Sequence, residues 1–129
     1  MRAALLIVLG LVVGIIGTAF TMNALSERNP FPPALMVTMG FHRQQLQQAV
    51  KGQRCEAGAN LDQLQHMQMI AGDIPAAFPN APQPFNDLAK QLRSSLQSAA
   101  QAAPADCPAL AAALKPVDEA CKQCHQQFR

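Results

Sequence analysis

The sequence has few charges and lacks features that mark several common functional classes. Charged residues make up 14% of the 129 residues, and ten Lys and Arg stand against eight Asp and Glu. No basic block suggests nucleic-acid binding. Trp, Tyr and a glycine-rich phosphate loop are absent. No pair of acid and base side chains is evident, so we expect a protein that is not an enzyme.

The sequence also lacks any stretch whose apolar and polar residues alternate well enough to predict a β-strand. Apolar residues recur at helical spacing at about 33–50, 61–72, 85–103 and 107–128. Asn60 and Asp106 are predicted N-caps, and Pro75 and Pro79 are predicted to close the second helix. The short links predict an all-α, antiparallel up-down-up-down four-helix bundle over residues 33–129.

One long hydrophobic run precedes the bundle. Residues 3–20 read AALLIVLGLVVGIIGTAF and carry no charge, and residues 3–22 would span about 30 Å as a helix. We favour an uncleaved signal-anchor within residues 1–25, followed by a linker at 26–32. The alternative is a signal peptide cut after Ala19. Both place the rest on the periplasmic side of the bacterial inner membrane, either anchored through residues 3–22 or soluble in the periplasm.

The chain has four cysteines, and export would place them in an oxidising compartment. A spare pair in an oxidising compartment is expected to form a disulfide. Cys55 lies in the first loop of the bundle and Cys107 begins its last helix, so the topology brings both to one end. We predict a Cys55–Cys107 disulfide, with two free thiols as the alternative. Zinc shared with Cys121, Cys124 and His125 is disfavoured because those residues lie at the opposite end.

The chain ends in CKQCHQQFR, a Cys-x-x-Cys-His motif formed by Cys121, Cys124 and His125. This motif attaches haem covalently in c-type cytochromes. A thioredoxin-like pair needs a strand before it and a helix after it, and neither is predicted here. We therefore predict one haem c that is covalently bonded to the two cysteines and whose iron is ligated by His125.

A second iron ligand would have to come from the same end of the bundle. Met36 is the leading candidate because it lies near the start of the first bundle helix, on its inward stripe. Met39, one turn deeper, is an alternative, and an open iron site is another. Three residues near the end of the second helix also remain candidates: Met67, Met69 and His66. His42, in the first helix, is judged too deep in the bundle to reach the iron. Methionine also fills cores without any ligand role.

Three motifs, VDEACKQCHQQFR, ALMVTMGFH and DIPAAFP, resemble those of the class II c-type cytochromes, which comprise cytochrome c′ and its low-spin relatives. The resemblance covers about residues 31–129 and implies an antiparallel four-helix bundle with haem c near the C-terminus. It implies thioether bonds at Cys121 and Cys124, proximal ligation by His125, and an Arg129 that lies near a haem propionate.

The same resemblance gives Met36 a role. Met36 falls at the position that faces the distal side of the iron, which is commonly apolar in five-coordinate cytochrome c′ and is the Met ligand in the low-spin relatives. The chain therefore resembles the low-spin branch. One departure is Pro32, which stands where cytochrome c′ usually has an arginine.

These features predict one-electron transfer by a haem c with His125 and Met36 as axial ligands, in a periplasmic or membrane-tethered respiratory chain. The expected partners are membrane or periplasmic redox proteins, and the family resemblance adds a homodimer. The alternative is a five-coordinate cytochrome c′ that binds nitric oxide or carbon monoxide. A structural protein with a vestigial haem has no feature in its favour.

Overall fold

The computed structural model describes the backbone of residues 2–26 and 29–128, and the side chains of residues 7–22 and 29–128. The chain divides into two compact units, Met1–Pro30 and Phe31–Arg129. Every regular element in the described residues is an α-helix.

The first unit contains helix α1, Arg2–Ser26. Its described side chains, from residue 7 to residue 22, are exposed. Among the described residues, no helix combines the length and the apolar character that crossing a membrane requires. The predicted transmembrane span at residues 3–22 is therefore not supported, and the side chains of residues 3–6 lie outside the described part.

The second unit contains α2 (Phe31–Lys51), α3 (Ala57–Ala77), α4 (Gln83–Gln101) and α5 (Cys107–Phe128). Each helix packs against the next along the chain, and α5 returns to pack against α2. The prediction of an all-helical bundle is confirmed. Its core is built from aliphatic side chains at helical spacing, with one phenylalanine and two methionines. The largest fully buried members are Leu46, Leu64, Met67, Leu96, Leu110 and Val117.

The α3 helix differs from its prediction at both ends. It begins at Ala57, with Glu56 rather than Asn60 as its N-cap. Asn60 is instead 2% exposed, and its side-chain amide donates to the carbonyl oxygen of Pro104 at 3.0 Å. Pro75 lies inside the helix, which continues to Ala77. The N-cap prediction for Asn60 was wrong, because its side chain bonds to the loop before α5 instead. Pro75 does not end the helix, but the helix does end directly before Phe78 and Pro79.

The loop before α3 and the loop before α5 lie at one end of the bundle, where Cys55 and Cys107 form a disulfide with a Cα–Cα distance of 5.2 Å. At the start of α5, the Asp106 carboxylate accepts a hydrogen bond from the backbone N–H of Ala109 at 2.7 Å. This bond satisfies one of the donors that the first turn of a helix leaves unpaired. The predicted N-cap at Asp106 is confirmed.

Candidate haem-attachment site

The Cys-x-x-Cys-His motif lies in the last two turns of α5, at the end of the bundle opposite the disulfide. Cys121 and Cys124 are free thiols and are half-buried, whereas His125 is exposed. Because the two cysteines are three residues apart on a helix, both lie on the same side of α5. Together with His125 they line one cleft.

The cleft has a volume of about 130 Å³ and lies between α2, α4 and α5. Its walls are mainly aliphatic and aromatic, and Ile74 of α3 also contributes. Eight further residues line the cleft with the motif and Ile74: Met36, Met39, Gly40, Arg43, Phe85, Leu88, Ala89 and Leu92. The cleft is thus an apolar space into which two thiols and an imidazole converge.

Three contacts show that α2 and α5 run antiparallel and establish their register. Arg43 pairs with Asp118, the Gln47 side-chain amide lies 3.5 Å from the same carboxylate, and the disulfide-bonded sulfur of Cys107 lies 3.9 Å from the carbonyl oxygen of Ala49. Met36 lies seven residues before Arg43, and His125 lies seven residues after Asp118. Seven residues make about two helical turns, or roughly 10 Å. Met36 and His125 are therefore level with each other across the cleft.

The structure separates the other predicted ligand candidates. Met39 lines the cleft one turn deeper than Met36 and is buried. Met67 is in the core, and Met69 is 62% exposed; neither lines the cleft. Of the described methionines, only Met36 and Met39 therefore remain in reach of the motif.

The two remaining histidines lie together elsewhere. His42 and His66 stack with their ring centroids 4.9 Å apart, and His42 Nδ1 is 2.8 Å from the Gln63 side-chain oxygen. Neither ring lines the cleft. In the described part of the chain, no group of three or more His, Cys, Asp or Glu is placed to hold a metal ion. The predicted contact of Arg129 lies outside the described residues.

An ion pair that the sequence did not predict borders the cleft. The Arg43 guanidinium donates to Asp118 on α5, and the Gln47 side-chain amide lies 3.5 Å from the same carboxylate. Burial raises the pKa of the Cys121 thiol, an effect that the positive charge of Arg43 partly offsets. Burial also raises the pKa of Cys124. Both thiols are therefore largely protonated at neutral pH.

Aromatic rings close the side of the cleft next to α4. Phe85, a buried wall residue, contacts Phe78 at 5.0 Å and Phe128 at 5.4 Å between ring centroids. The Phe128 ring meets Phe85 edge-on, one turn beyond Cys124. This cluster joins the end of α3, the start of α4 and the end of α5, and so holds the motif against the bundle.

The donor set fits a covalently attached haem. Two unbonded thiols lie on one side of α5, an imidazole follows directly, and the cleft they share is apolar. Its volume is below the ~300–1,000 Å³ usual for ligand pockets. A group as large as haem would have to widen the cleft. The interface between α2 and α5 is the least extensive of those between neighbouring helices, so the cleft would widen most easily there.

Comparison with protein families gives one match, to the model described as Cytochrome C', over residues 80–129. This match supports the cytochrome c′ family. It covers α4, α5 and the whole Cys-x-x-Cys-His motif, and the family implies a covalently bound haem c. The matched region begins at residue 80, after α2 and α3, so it does not include Met36. Comparisons with curated proteins and with solved structures gave no match.

Proposed function

We propose that the protein is a one-electron carrier in which His125 and Met36 ligate the iron of a haem c. The observation that carries this proposal is that Met36 and His125 line one apolar cleft together with Cys121 and Cys124, and the Arg43–Asp118 pair supports placing them at about the same height. A haem c held there would supply an Fe(III)/Fe(II) couple. His/Met ligation is used by electron-transfer cytochromes and raises the reduction potential relative to ligation by two histidines.

The residues of this chain would have separate tasks. Cys121 and Cys124 would anchor the prosthetic group to α5, and His125 would hold the iron from the same helix. Met36 would approach from α2, so the two residues that would hold the iron come from different helices, and the packing of the bundle would set their separation. The aliphatic walls exclude water and maintain a low-polarity surrounding. If His125 and Met36 both held the iron, no coordination position would be open to a substrate, so we propose no enzymatic activity.

The alternative function is binding of nitric oxide or carbon monoxide at a five-coordinate iron. The match to the cytochrome c′ family supports it, because an apolar residue commonly stands over the iron in that family. Met36 would then be a flexible apolar cover rather than a ligand. The two functions differ in whether the Met36 sulfur bonds the iron.

Visible absorption of the haem-loaded protein distinguishes them. For the carrier, we expect sharp split bands when reduced, a sulfur-to-iron band when oxidised, and no change with carbon monoxide. Met36→Leu should abolish the sulfur band and allow carbon monoxide to bind. Met39→Leu is the matched control and should leave both spectra unchanged. A parent protein with a broad high-spin spectrum that shifts with carbon monoxide would refute the carrier and favour gas binding.

We also propose a periplasmic location and redox-protein partners. Proteins of the cytochrome c′ family are typically periplasmic, which supports export of this chain. Cell fractionation with sequencing of the mature N-terminus tests the two export routes. Haem protein that starts after Ala19 in the periplasmic fraction would establish cleavage, whereas an intact N-terminus in the membrane fraction would establish the anchor.

A further inference from the structure

The Arg43–Asp118 pair brings the only permanent charge to the described lining of the cleft. Arg43 lines the cleft directly, and the other described lining residues are apolar, a thiol, glycine or His125. Its guanidinium is paired with Asp118, and the two side chains are 39% and 36% exposed. The cation is therefore part of an otherwise apolar wall, but it is neutralised by a carboxylate of the facing helix.

The geometry limits how far this pair is from the iron ligands. Arg43 is seven residues from Met36, and Asp118 is seven residues from His125. Both separations correspond to about two helical turns, or roughly 10 Å along the bundle. Two turns also return each residue to nearly the same side of its helix. Arg43 therefore lines the cleft with Met36, and Asp118 lies beside the cleft as the partner of Arg43. A charge at this distance acts on the iron site without bonding to it.

We propose that Asp118 is a positioning residue that holds and neutralises Arg43, and that this balance sets the reduction potential of the haem. The inference rests on the proposed electron-transfer function and names its electrostatic control. Reduction lowers the positive charge at the iron by one unit. An unpaired Arg43 cation therefore destabilises the more positive, oxidised form and raises the reduction potential. An unpaired Asp118 carboxylate stabilises the oxidised form and lowers the reduction potential.

The size of the effect follows from Coulomb's law. One unit charge at ~10 Å with an effective dielectric of ~20 changes an equilibrium constant by about tenfold or slightly more. Because both side chains are about one-third exposed, water and salt weaken the interaction. We expect a change of about three- to tenfold in the equilibrium constant for reduction, and tenfold corresponds to 59 mV for a one-electron couple.

The test is a redox titration of the full haem-loaded chain and of five variants. Asp118→Asn should raise the potential and Arg43→Gln should lower it. The double variant should return close to the parent, because it removes both charges. Asp118→Glu keeps the charge and should keep the parent potential. Glu119→Gln is the matched control: it removes an adjacent exposed carboxylate that interacts with Gln123 instead, and should shift the potential much less.

The pattern of signs decides the outcome. Opposite shifts for the two single variants, cancelled in the double variant and reduced at high ionic strength, would support the proposal. Shifts of the same sign, no shift, or an equal shift for Glu119→Gln would overturn it. An altered absorption spectrum in Asp118→Asn that Asp118→Glu does not show would mean that the pair positions the iron ligands, and would overturn the electrostatic role.

The spectrum and the potential test different claims. If the parent protein is high-spin and binds carbon monoxide, the proposed His125/Met36 ligation fails. The potential of that iron can still be titrated, and the signs of the two single variants still report on the charge pair. If Asp118→Asn does not fold, Arg43→Gln and the double variant retain the comparison.

Discussion

The disulfide at the loop end should supply a large share of the stability of the bundle. Cys55 and Cys107 are 52 residues apart in sequence, and their bond joins the loop before α3 to the start of α5. The loop that it closes contains all of α3 and α4. The perturbation is the double variant Cys55→Ala/Cys107→Ala, which removes the cross-link and leaves the haem motif intact.

The magnitude comes from the conformational entropy of the unfolded chain. Closing a loop of 52 residues lowers that entropy enough to stabilise the folded state by about 4 kcal/mol at 25 °C. Small domains are stable by only ~5–15 kcal/mol, so the loss would be a major fraction of the total. Because the bond is at the end opposite Cys121 and Cys124, its loss should leave the visible spectrum of the folded protein unchanged.

Urea unfolding of the haem-loaded protein, followed by helical circular dichroism, measures the loss. The free energy of unfolding should fall by about 4 kcal/mol in the double variant. The parent protein treated with a thiol reductant is the matched control, since it keeps both sulfur atoms but opens the bond. Equal losses would assign the effect to loop closure. A loss below about 1 kcal/mol in both samples would refute the entropic reasoning.

Two further substitutions test individual hydrogen bonds near the same end. Asn60→Ala should lower the free energy of unfolding by about 1–3 kcal/mol in a urea titration, because it leaves the buried Pro104 carbonyl without its donor. Asn80→Ala, at an exposed position, should change it by less than about 0.5 kcal/mol. Asp106→Ala should cost about 0.5–2 kcal/mol through loss of the α5 N-cap. A loss for Asn80→Ala as large as that for Asn60→Ala would contradict the assignment to the buried bond.

Local signals were sufficient for the start of α5 and for its buried face. Asp106 precedes a run in which Leu110, Leu114 and Val117 recur at spacings of four and three, and these three side chains are buried. An N-cap and an apolar stripe act within one or two turns. A sequence pattern of that length was therefore enough to predict where α5 begins and which of its faces is buried.

Contacts between distant residues could not be predicted in this way. Asn60 has the residue type of an N-cap, yet its partner Pro104 is 44 positions away and belongs to another loop. With its side chain bonded to Pro104, Asn60 lies inside α3, which begins at Ala57. Pro75 is a helix breaker by local propensity, but buried Ile74 and Ala77 on either side keep the last turn packed in the bundle. In both cases the deciding interaction comes from a helix or loop that the local pattern does not include.

The choice between Met36 and Met39 shows the same limit at the candidate site. The topology places both at the end where α5 finishes, but they differ by one helical turn, roughly 4.5 Å. The 75-residue separation of Arg43 and Asp118 makes their pairing invisible to local patterns, yet that pairing sets the register of α2 against α5. A slip of α2 by one turn would bring Met39 level with His125 and would also separate Arg43 from Asp118. The ion pair and the level placement of Met36 are therefore two consequences of one packing arrangement.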